Sequence, residues 1–265
     1  MSNENPRKYG NPPFKIAVIH GGPGAPGEMA PVAQSLSSQW GILEPMQTAT
    51  SLGGQIDELA DILQANANLP ATLIGFSWGA WLSFLVAAKF PGHVRKLILI
   101  GSGPFDERYA KKIMETRLAR LNKDDQTKVQ HTIKILDDPK SNDKNGALAQ
   151  FGELLSKTDT FKLISDEQEK LEAIECDSAI YQNVWAEASE LRRSGRLLEF
   201  GNLIKCPVVA IHGDYDPHPA DGVAKPLAGI IINFRFILLK NCGHKPWIER
   251  YAREIFYQIL SEELR

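Results

Sequence analysis

The serine at position 77 lies in a pattern that can perform nucleophilic chemistry. The sequence GFSWG at residues 75–79 fits G-x-S-x-G, follows an apolar run that predicts a strand, and precedes a run that predicts an amphipathic helix. Because the turn between such elements is sharp, small residues are needed on both sides, and Gly75 and Gly79 supply them. The helix N-terminus favours developing negative charge. The alternative interpretation is a serine that only caps a helix.

A glycine-rich loop after the first predicted strand can complete this chemistry. The loop reads HGGPG at residues 20–24. The amide of Gly22 and the amide of Trp78, just after the serine, would donate hydrogen bonds to a tetrahedral oxyanion. We interpret His20 as a residue that orders this loop, with a place in the substrate pocket as a second possibility.

The same loop also fits a different motif. Residues 22–27 spell G-x-G-x-x-G, and Glu44 follows about 20 residues later, which is typical of a dinucleotide site. However, Pro23 and Pro26 have no N–H to donate. Since a pyrophosphate is held by backbone amides, the prolines favour the oxyanion interpretation.

Two later loops carry a carboxylate and an imidazole. HGDYD at residues 212–216 ends on Asp216, the candidate acid, and Asp214 is its rival two residues earlier. His244 is the candidate base and follows the last predicted strand. His218 lies close to Asp216 in sequence and is a candidate pocket residue.

The order and placement of three residues connect these loops. Ser77, Asp216 and His244 each lie just beyond the end of a predicted strand, and in an open parallel sheet the carboxyl ends of the strands border one crevice. His244 would take the proton of Ser77, while Asp216 would hold the imidazole in the required tautomer.

Strand and helix signals alternate along the chain and must position these loops. The predicted strands cover residues 14–20, 41–46, 69–76, 97–100, 207–212 and 234–239. This alternation predicts an α/β fold with a mostly parallel sheet of about six strands, flanked by helices. Residues 1–13 are polar and proline-rich, and we interpret them as an N-terminal extension.

The middle of the chain has a different composition. More than half of the charged residues lie between 106 and 205, where apolar residues recur at helical spacing. We therefore predict a helical insertion at residues 104–200, within a core of residues 14–103 and 201–265.

Composition excludes several classes of protein. The net charge of −2 argues against nucleic-acid binding. Cys176, Cys206 and Cys242 form no CxxC pair, which argues against a disulfide framework or a zinc site. The chain has no secretory signal pattern and no apolar stretch near the ~20 residues of a membrane span. We expect a cytoplasmic protein, a monomer or homodimer, that acts on a small molecule without metal, cofactor or membrane.

Four motifs together resemble the α/β-hydrolase superfamily. They are HGGPG at 20–24, GFSWGA at 75–80, HGDYD at 212–216 and CGHKPW at 242–247. The resemblance covers residues 14–105 and 205–263. It implies an α/β-hydrolase fold in which the insertion forms a helical cap over the active site.

The HGGPG loop and the Ser-Trp pair resemble the proline iminopeptidase branch in particular. Members of that branch bind a free amino group with acidic residues of the cap. Trp185, Glu187 and Glu190 could do this here, although solvated carboxylates on a helix face are the alternative.

The leading interpretation is hydrolysis of a small ester, amide or peptide bond through an acyl-Ser77 intermediate. C–C bond hydrolysis and cofactor-free perhydrolase chemistry on the same residues are alternatives. A hydrolase-like protein that binds a small molecule with little turnover is a third.

Overall fold

The computed structural model describes residues 4–164 and 177–265. Its strands are β1 (Arg7–Tyr9), β2 (Phe14–Ile19), β3 (Gly41–Glu44), β4 (Ala71–Phe76), β5 (Val94–Ile100), β6 (Val208–Gly213) and β7 (Phe234–Leu239). Within the described ranges they form one sheet in the order β1-β3-β2-β4-β5-β6-β7. All pairs from β3 to β7 are parallel. The mostly parallel sheet predicted from the sequence is confirmed, and its six parallel strands are the six predicted ones.

The antiparallel strand β1 lies within the residues interpreted as an extension. Arg7 pairs with Glu44 and Tyr9 with Ile42, and the Tyr9 hydroxyl donates to the Glu44 carboxylate at 2.6 Å. A strand of three residues is too short to show a two-residue period. This strand was therefore not predicted from the sequence.

Helices connect the strands and cover both faces of the sheet. They are α1 (Ala30–Leu36), α2 (Leu52–Asn66), α3 (Trp78–Lys89), α4 (Glu107–Ala110), α5 (Ile113–Ala119), α6 (Lys123–Asp137), α7 (Lys144–Asp159), α8 (Ser178–Arg193), α9 (Arg196–Glu199), α10 (Asp221–Ala228) and α11 (Arg253–Leu264). Helices α4 to α9 lie between β5 and β6, in the predicted insertion. Among the described residues, none of the helices has the length and apolar character that crossing a membrane requires.

Two apolar cores lie on the two sides of the sheet. One contains Trp81 and Phe84 of α3, and the other contains Met29 and the α11 residue Phe256. Because helices cover both faces, the central strand β4 is buried along its whole length. A third, smaller cluster joins α6 to α7.

The cysteines take no part in disulfides where the structure describes them. Cys206 is partly exposed and Cys242 is buried, and both are free. Cys176 lies outside the described residues.

Candidate active site

Ser77 lies on a sharp turn between β4 and α3. Its backbone has φ 50° and ψ −111°, a conformation that residues other than glycine rarely adopt. The Ser77 N–H donates to the carbonyl of Ile100, at the end of the neighbouring strand β5, at 2.9 Å. Such strain costs about 1–3 kcal/mol and persists only where the surroundings enforce it.

The glycines beside Ser77 are required by close backbone contacts. A Cβ on Gly75 would overlap the carbonyl oxygen of Gly79, and a Cβ on Gly79 would overlap the carbonyls of Ile19 and His20. The turn therefore packs directly against the end of β2, where the HGGPG loop begins.

The HGGPG loop is ordered by its own histidine and by two left-handed glycines. Gly22 and Gly24 have φ of 39° and 80°. His20 is fully buried, and its Nδ1 lies 2.7 Å from the carbonyl of Gly21. Burial lowers the pKa of His20, so the ring is neutral near pH 7 and donates its Nδ1–H to that carbonyl.

The two predicted oxyanion donors belong to adjoining segments. Trp78 is the first residue of α3, where backbone N–H groups have no acceptor within the helix. Gly22 belongs to the loop on which Gly79 packs. The indole of Trp78 points elsewhere and donates to Gln55 at 3.1 Å.

Asp216, and not Asp214, meets the imidazole of His244. His244 Nδ1 lies 2.7 Å from Asp216 Oδ2, and the Asp216 side chain is fully buried. Asp214 accepts a hydrogen bond from the Cys242 amide at 3.3 Å and lies 3.7 Å from the Lys240 ammonium. Asp214 therefore connects its own loop to the loop that carries His244, at a more exposed position than Asp216.

The His244 loop lies over the ends of β4 and β5. The His244 ring packs 4.8 Å from the ring of Phe76, the residue before Ser77. Gly101 follows the residue that binds the Ser77 amide, and a Cβ on Gly101 would come within 3.0 Å of His244 Nδ1. The structure thus brings Ser77, Asp216 and His244 to one end of the sheet.

Three histidines surround the Asp216 carboxylate. His218 Nδ1 lies 2.8 Å from Oδ1, and His212 Nε2 lies 3.5 Å from Oδ2. Burial alone would raise the pKa of Asp216, but the imidazoles, His244 first, hold it well below its ordinary value. The carboxylate is therefore ionised throughout the neutral range.

The same cluster offers the ligand types of a metal centre. Three possible ligand atoms lie within 4.8 Å of one another, one each from Asp216, His218 and His244. However, the carboxylate already accepts a hydrogen bond from each of the two imidazoles. A carboxylate that holds an imidazole in a fixed orientation is what His244 would require to act as a general base.

The end of α7 holds the main chain of the His244 loop. The His244 N–H donates to the carbonyl of Asp159 at 2.7 Å. The Asp159 carboxylate in turn accepts two hydrogen bonds from Arg117, at 2.9 and 2.5 Å. Nothing in the local sequence indicates this contact, since Asp159 is one of many charged residues in the insertion.

The buried carboxylate of Glu249 makes a second connection to the same segment. It accepts hydrogen bonds from the amides of Gly243, Phe161 and Lys162, each at 2.8 Å. Burial raises the pKa of Glu249, against the effect of these amides. The segment after α7 and the His244 loop therefore share one acceptor.

An ion pair joins the segment that follows the HGGPG loop to the His244 loop. Lys245 Nζ lies 2.7 Å from Glu28 Oε1, and both side chains are largely buried. Burial alone would raise the pKa of Glu28, but the Lys245 ammonium lowers it below its ordinary value. No local sequence pattern indicates this pair.

The three candidate pocket residues of α8 have partners outside the loops of Ser77, Asp216 and His244. Trp185 stacks on Trp81, with ring centroids 5.7 Å apart and planes 8° apart. Glu187 accepts a hydrogen bond from the Leu52 amide at 3.2 Å, and Glu190 pairs with Arg193. The contacts of Trp185 and Glu187 dock α8, whereas the Glu190 pair lies within α8 itself. A role in binding an amino group stays a prediction.

Comparison with known proteins identifies a family to which the chain is similar. A family model described as alpha/beta hydrolase fold matches residues 44–251. No curated protein matches the sequence.

Solved structures share the overall arrangement at low identity. The crystal structure of VinJ is 17% identical, with a TM-score of 0.70 over 98% of this chain and 93% of that chain. An esterase from Exiguobacterium antarcticum is 17% identical, with a TM-score of 0.70 over 97% and 94%. A monoacylglycerol lipase from Paleococcus ferrophilus is 15% identical, with a TM-score of 0.61 over 98% and 97%. At these identities the likeness concerns the fold.

Proposed function

Because the chain belongs to the α/β-hydrolase family, we propose that it is a serine hydrolase that cleaves a small ester, amide or peptide bond through an acyl-Ser77 intermediate. The observation that carries the proposal is the hydrogen bond of 2.7 Å between His244 and a fully buried Asp216, beside a serine on a strained turn. A serine that only caps a helix would need neither partner.

The first half of the reaction follows from the tautomer of His244. A carboxylate can only accept, so His244 donates its Nδ1–H to Asp216 and keeps a lone pair on Nε2. That lone pair takes the hydroxyl proton as Ser77 Oγ attacks the substrate carbonyl. Asp216 stabilises the imidazolium without accepting the proton.

The second half returns the proton and releases the product. The Gly22 and Trp78 amides hold the oxyanion of each tetrahedral intermediate, a contribution of about 10²–10³ in rate per donor. His244 gives its proton to the leaving group, and the acyl group remains on Ser77. A water deprotonated by His244 then attacks the acyl carbon and restores the free serine.

Two observations favour an ester over a peptide as substrate. Trp185 and Glu187, the candidates for binding a substrate amino group, are engaged in docking α8. The structural neighbours also include an esterase and a monoacylglycerol lipase.

Covalent labelling tests the nucleophile. A fluorophosphonate probe is expected to form one adduct, located on Ser77 by peptide mapping. Ser77→Ala should abolish the label, whereas Ser83→Ala, which removes the hydroxyl within α3 itself, should keep it. Folded wild-type protein that remains unlabelled would overturn the proposal.

Substrate comparison tests the bond. Short p-nitrophenyl esters are expected to be hydrolysed in a Ser77-dependent manner, and proline p-nitroanilide much more slowly. Preferred cleavage of the anilide would instead support the iminopeptidase branch.

A further inference from the structure

The Asp216 carboxylate is shared by two imidazole rings. Its Oδ2 is 2.7 Å from His244 Nδ1, and its Oδ1 is 2.8 Å from His218 Nδ1. Oδ1 also accepts the backbone N–H of His218 at 2.9 Å. The two rings lie side by side, with centroids 4.7 Å apart and planes inclined by 31°. One residue therefore supplies two donors to the oxygen that His244 leaves free.

His218 is a neutral donor at this position. Burial lowers its pKa to about 4, against the attraction of Asp216. Near pH 7 its ring carries one proton, which must be on Nδ1 because the carboxylate oxygen can only accept. His212 is farther from the carboxylate than these two rings, because its Nε2 lies 3.5 Å from Oδ2. The same Nε2 lies only 2.8 Å from the main-chain carbonyl of His218. His212 therefore steadies the peptide of His218.

The double contact on Oδ1 limits how the carboxylate can move. Rotation about the terminal torsion of an aspartate is soft, because that torsion has broad, two-fold wells. A single backbone donor leaves much of this rotation open. A second donor on the same oxygen fixes the carboxylate plane, and with it the direction in which Oδ2 faces His244.

We propose that His218 is a positioning residue: its Nδ1–H fixes the Asp216 carboxylate, and through it the orientation of the His244 imidazole. This role rests on the proposed function, because it acts on Ser77 through His244. It differs from a place in the substrate pocket, which would affect substrate binding instead of the rate of the chemical step.

Two substitutions separate the Nδ1 donor from the ring. His218→Phe keeps the ring beside His244 and removes the donor, whereas His218→Asn removes the ring but places an amide N–H near the position of Nδ1. We expect His218→Phe to lower kcat by about 10- to 100-fold, as for a lost hydrogen bond to a charged group, with little change in KM. His218→Asn should recover most of the rate. His131→Asn on α6 is the matched histidine control and should behave as wild type.

Proton NMR supplies a readout that does not depend on turnover. The proton shared by His244 Nδ1 and Asp216 should give a downfield resonance in wild type and His218→Asn. We expect that resonance to broaden or vanish in His218→Phe. If His218→Phe does not fold, His218→Gln takes its place, because its longer amide reaches the position of Nε2 instead of Nδ1.

The outcomes are distinct. A His218→Phe variant with wild-type kcat and an unchanged resonance would overturn the positioning role, as would equal changes of KM alone in both variants. Failure of the fluorophosphonate to label Ser77 concerns the proposed function. The NMR comparison still decides the role of His218 in that case.

Discussion

The sheet and the helical segment between β5 and β6 hold their residues in different ways. Ser77 and His244 are placed by main-chain contacts at strand ends. There, a Cβ atom added to Gly75 or Gly101 would displace the neighbouring backbone. Within the helical segment, α8 is attached largely through side chains, whereas the end of α7 holds the His244 loop through the main chain. Trp185 of α8 stacks on the α3 residue Trp81, for example.

Arg192 of α8 makes one contact outside the helical segment and one within it. Its guanidinium lies 5.5 Å from the ring of Trp81 in α3, and it pairs with Glu107 of α4 at 2.7 Å. Main-chain contacts thus place Ser77 and His244, while side-chain contacts, which a single substitution can change, attach α8 to α3. The following variants test whether the two can be perturbed separately.

The largest effect is expected at the acid loop. Asp216→Asn keeps the shape of the side chain but favours the wrong tautomer of His244, so kcat should fall by roughly 10³–10⁴-fold. Asp214→Asn changes only exposed contacts with Lys240 and the Cys242 amide. It should lower the free energy of unfolding by less than about 1 kcal/mol, with little loss of rate. Steady-state ester hydrolysis measures both, and equal losses in the two variants would contradict the assignment of Asp216.

A large effect on stability is expected at the turn before Ser77. Gly75→Ala forces a methyl group against the Gly79 carbonyl, so it should lower the free energy of unfolding by about 1–3 kcal/mol or more and impair Ser77 labelling. Gly53→Ala is the control, since nothing lies within 4 Å of its added methyl in α2, and it should be neutral or stabilising. Chemical denaturation compares them; a Gly75→Ala variant as stable as wild type would show that the turn can relax.

An intermediate effect is expected where α8 meets α3. Trp185→Ala removes the stacked ring on Trp81 and should destabilise by about 2 kcal/mol, less than a fully buried Trp→Ala change. Because the Ser77 turn and the His244 loop are held by hydrogen bonds to β5 and α7, labelling by a small probe should keep its rate while KM for bulky esters changes. Trp185→Phe should lose less stability. A loss of labelling in folded Trp185→Ala would show that the contact between α8 and α3 also supports the Ser77 turn.

The smallest effect among the principal variants, with a defined pH dependence, is expected at Glu249. Glu249→Gln replaces one of two acceptor oxygens by an NH2 donor where three amides donate. It should therefore lower the free energy of unfolding by about 1 kcal/mol near pH 7. Since burial raises the folded-state pKa of Glu249, its protonated form is favoured by folding. The stability that this proton contributes is fully present below the ordinary pKa of glutamate. It is lost as the pH rises through the pKa of Glu249 in the folded state.

Glutamine does not titrate, so the stability advantage of the wild type over the Glu249→Gln variant should grow as the pH is lowered from about 8 to about 4. Urea denaturation of both proteins at several pH values measures the difference. An advantage that shrinks towards acid pH would show that the amide hydrogen bonds, and not burial, dominate the titration of Glu249.

The sequence was informative where a residue's role depends on its near neighbours. Six strands followed from their apolar runs, and Asp216 and His244 from their place after two of them. Strand β1 was missed because three residues show no period. Asp159 was missed because its contact with His244 joins residues far apart in the chain. Glu249 was missed because the partners that bury its carboxylate include the distant amides of Phe161 and Lys162, which no local pattern records.

The substrate role of the α8 candidates stays a prediction. A tryptophan with nearby carboxylates on a charged helix suggested substrate binding, and in the structure Trp185 and Glu187 contact α3 and the start of α2. Which face of a helix meets a neighbouring helix depends on the tertiary arrangement, and the local motif does not encode it.

The ion pair between Glu28 and Lys245 joins the residue after His244 to the segment that follows the HGGPG loop. Moving the imidazole away from the Gly22 amide would require separating two largely buried charges, which is energetically costly. The other amide, that of Trp78, directly follows Ser77 in the chain and moves with the nucleophile. The acceptor of the proton is thus tied to one of the groups that would receive the negative charge, and the nucleophile to the other.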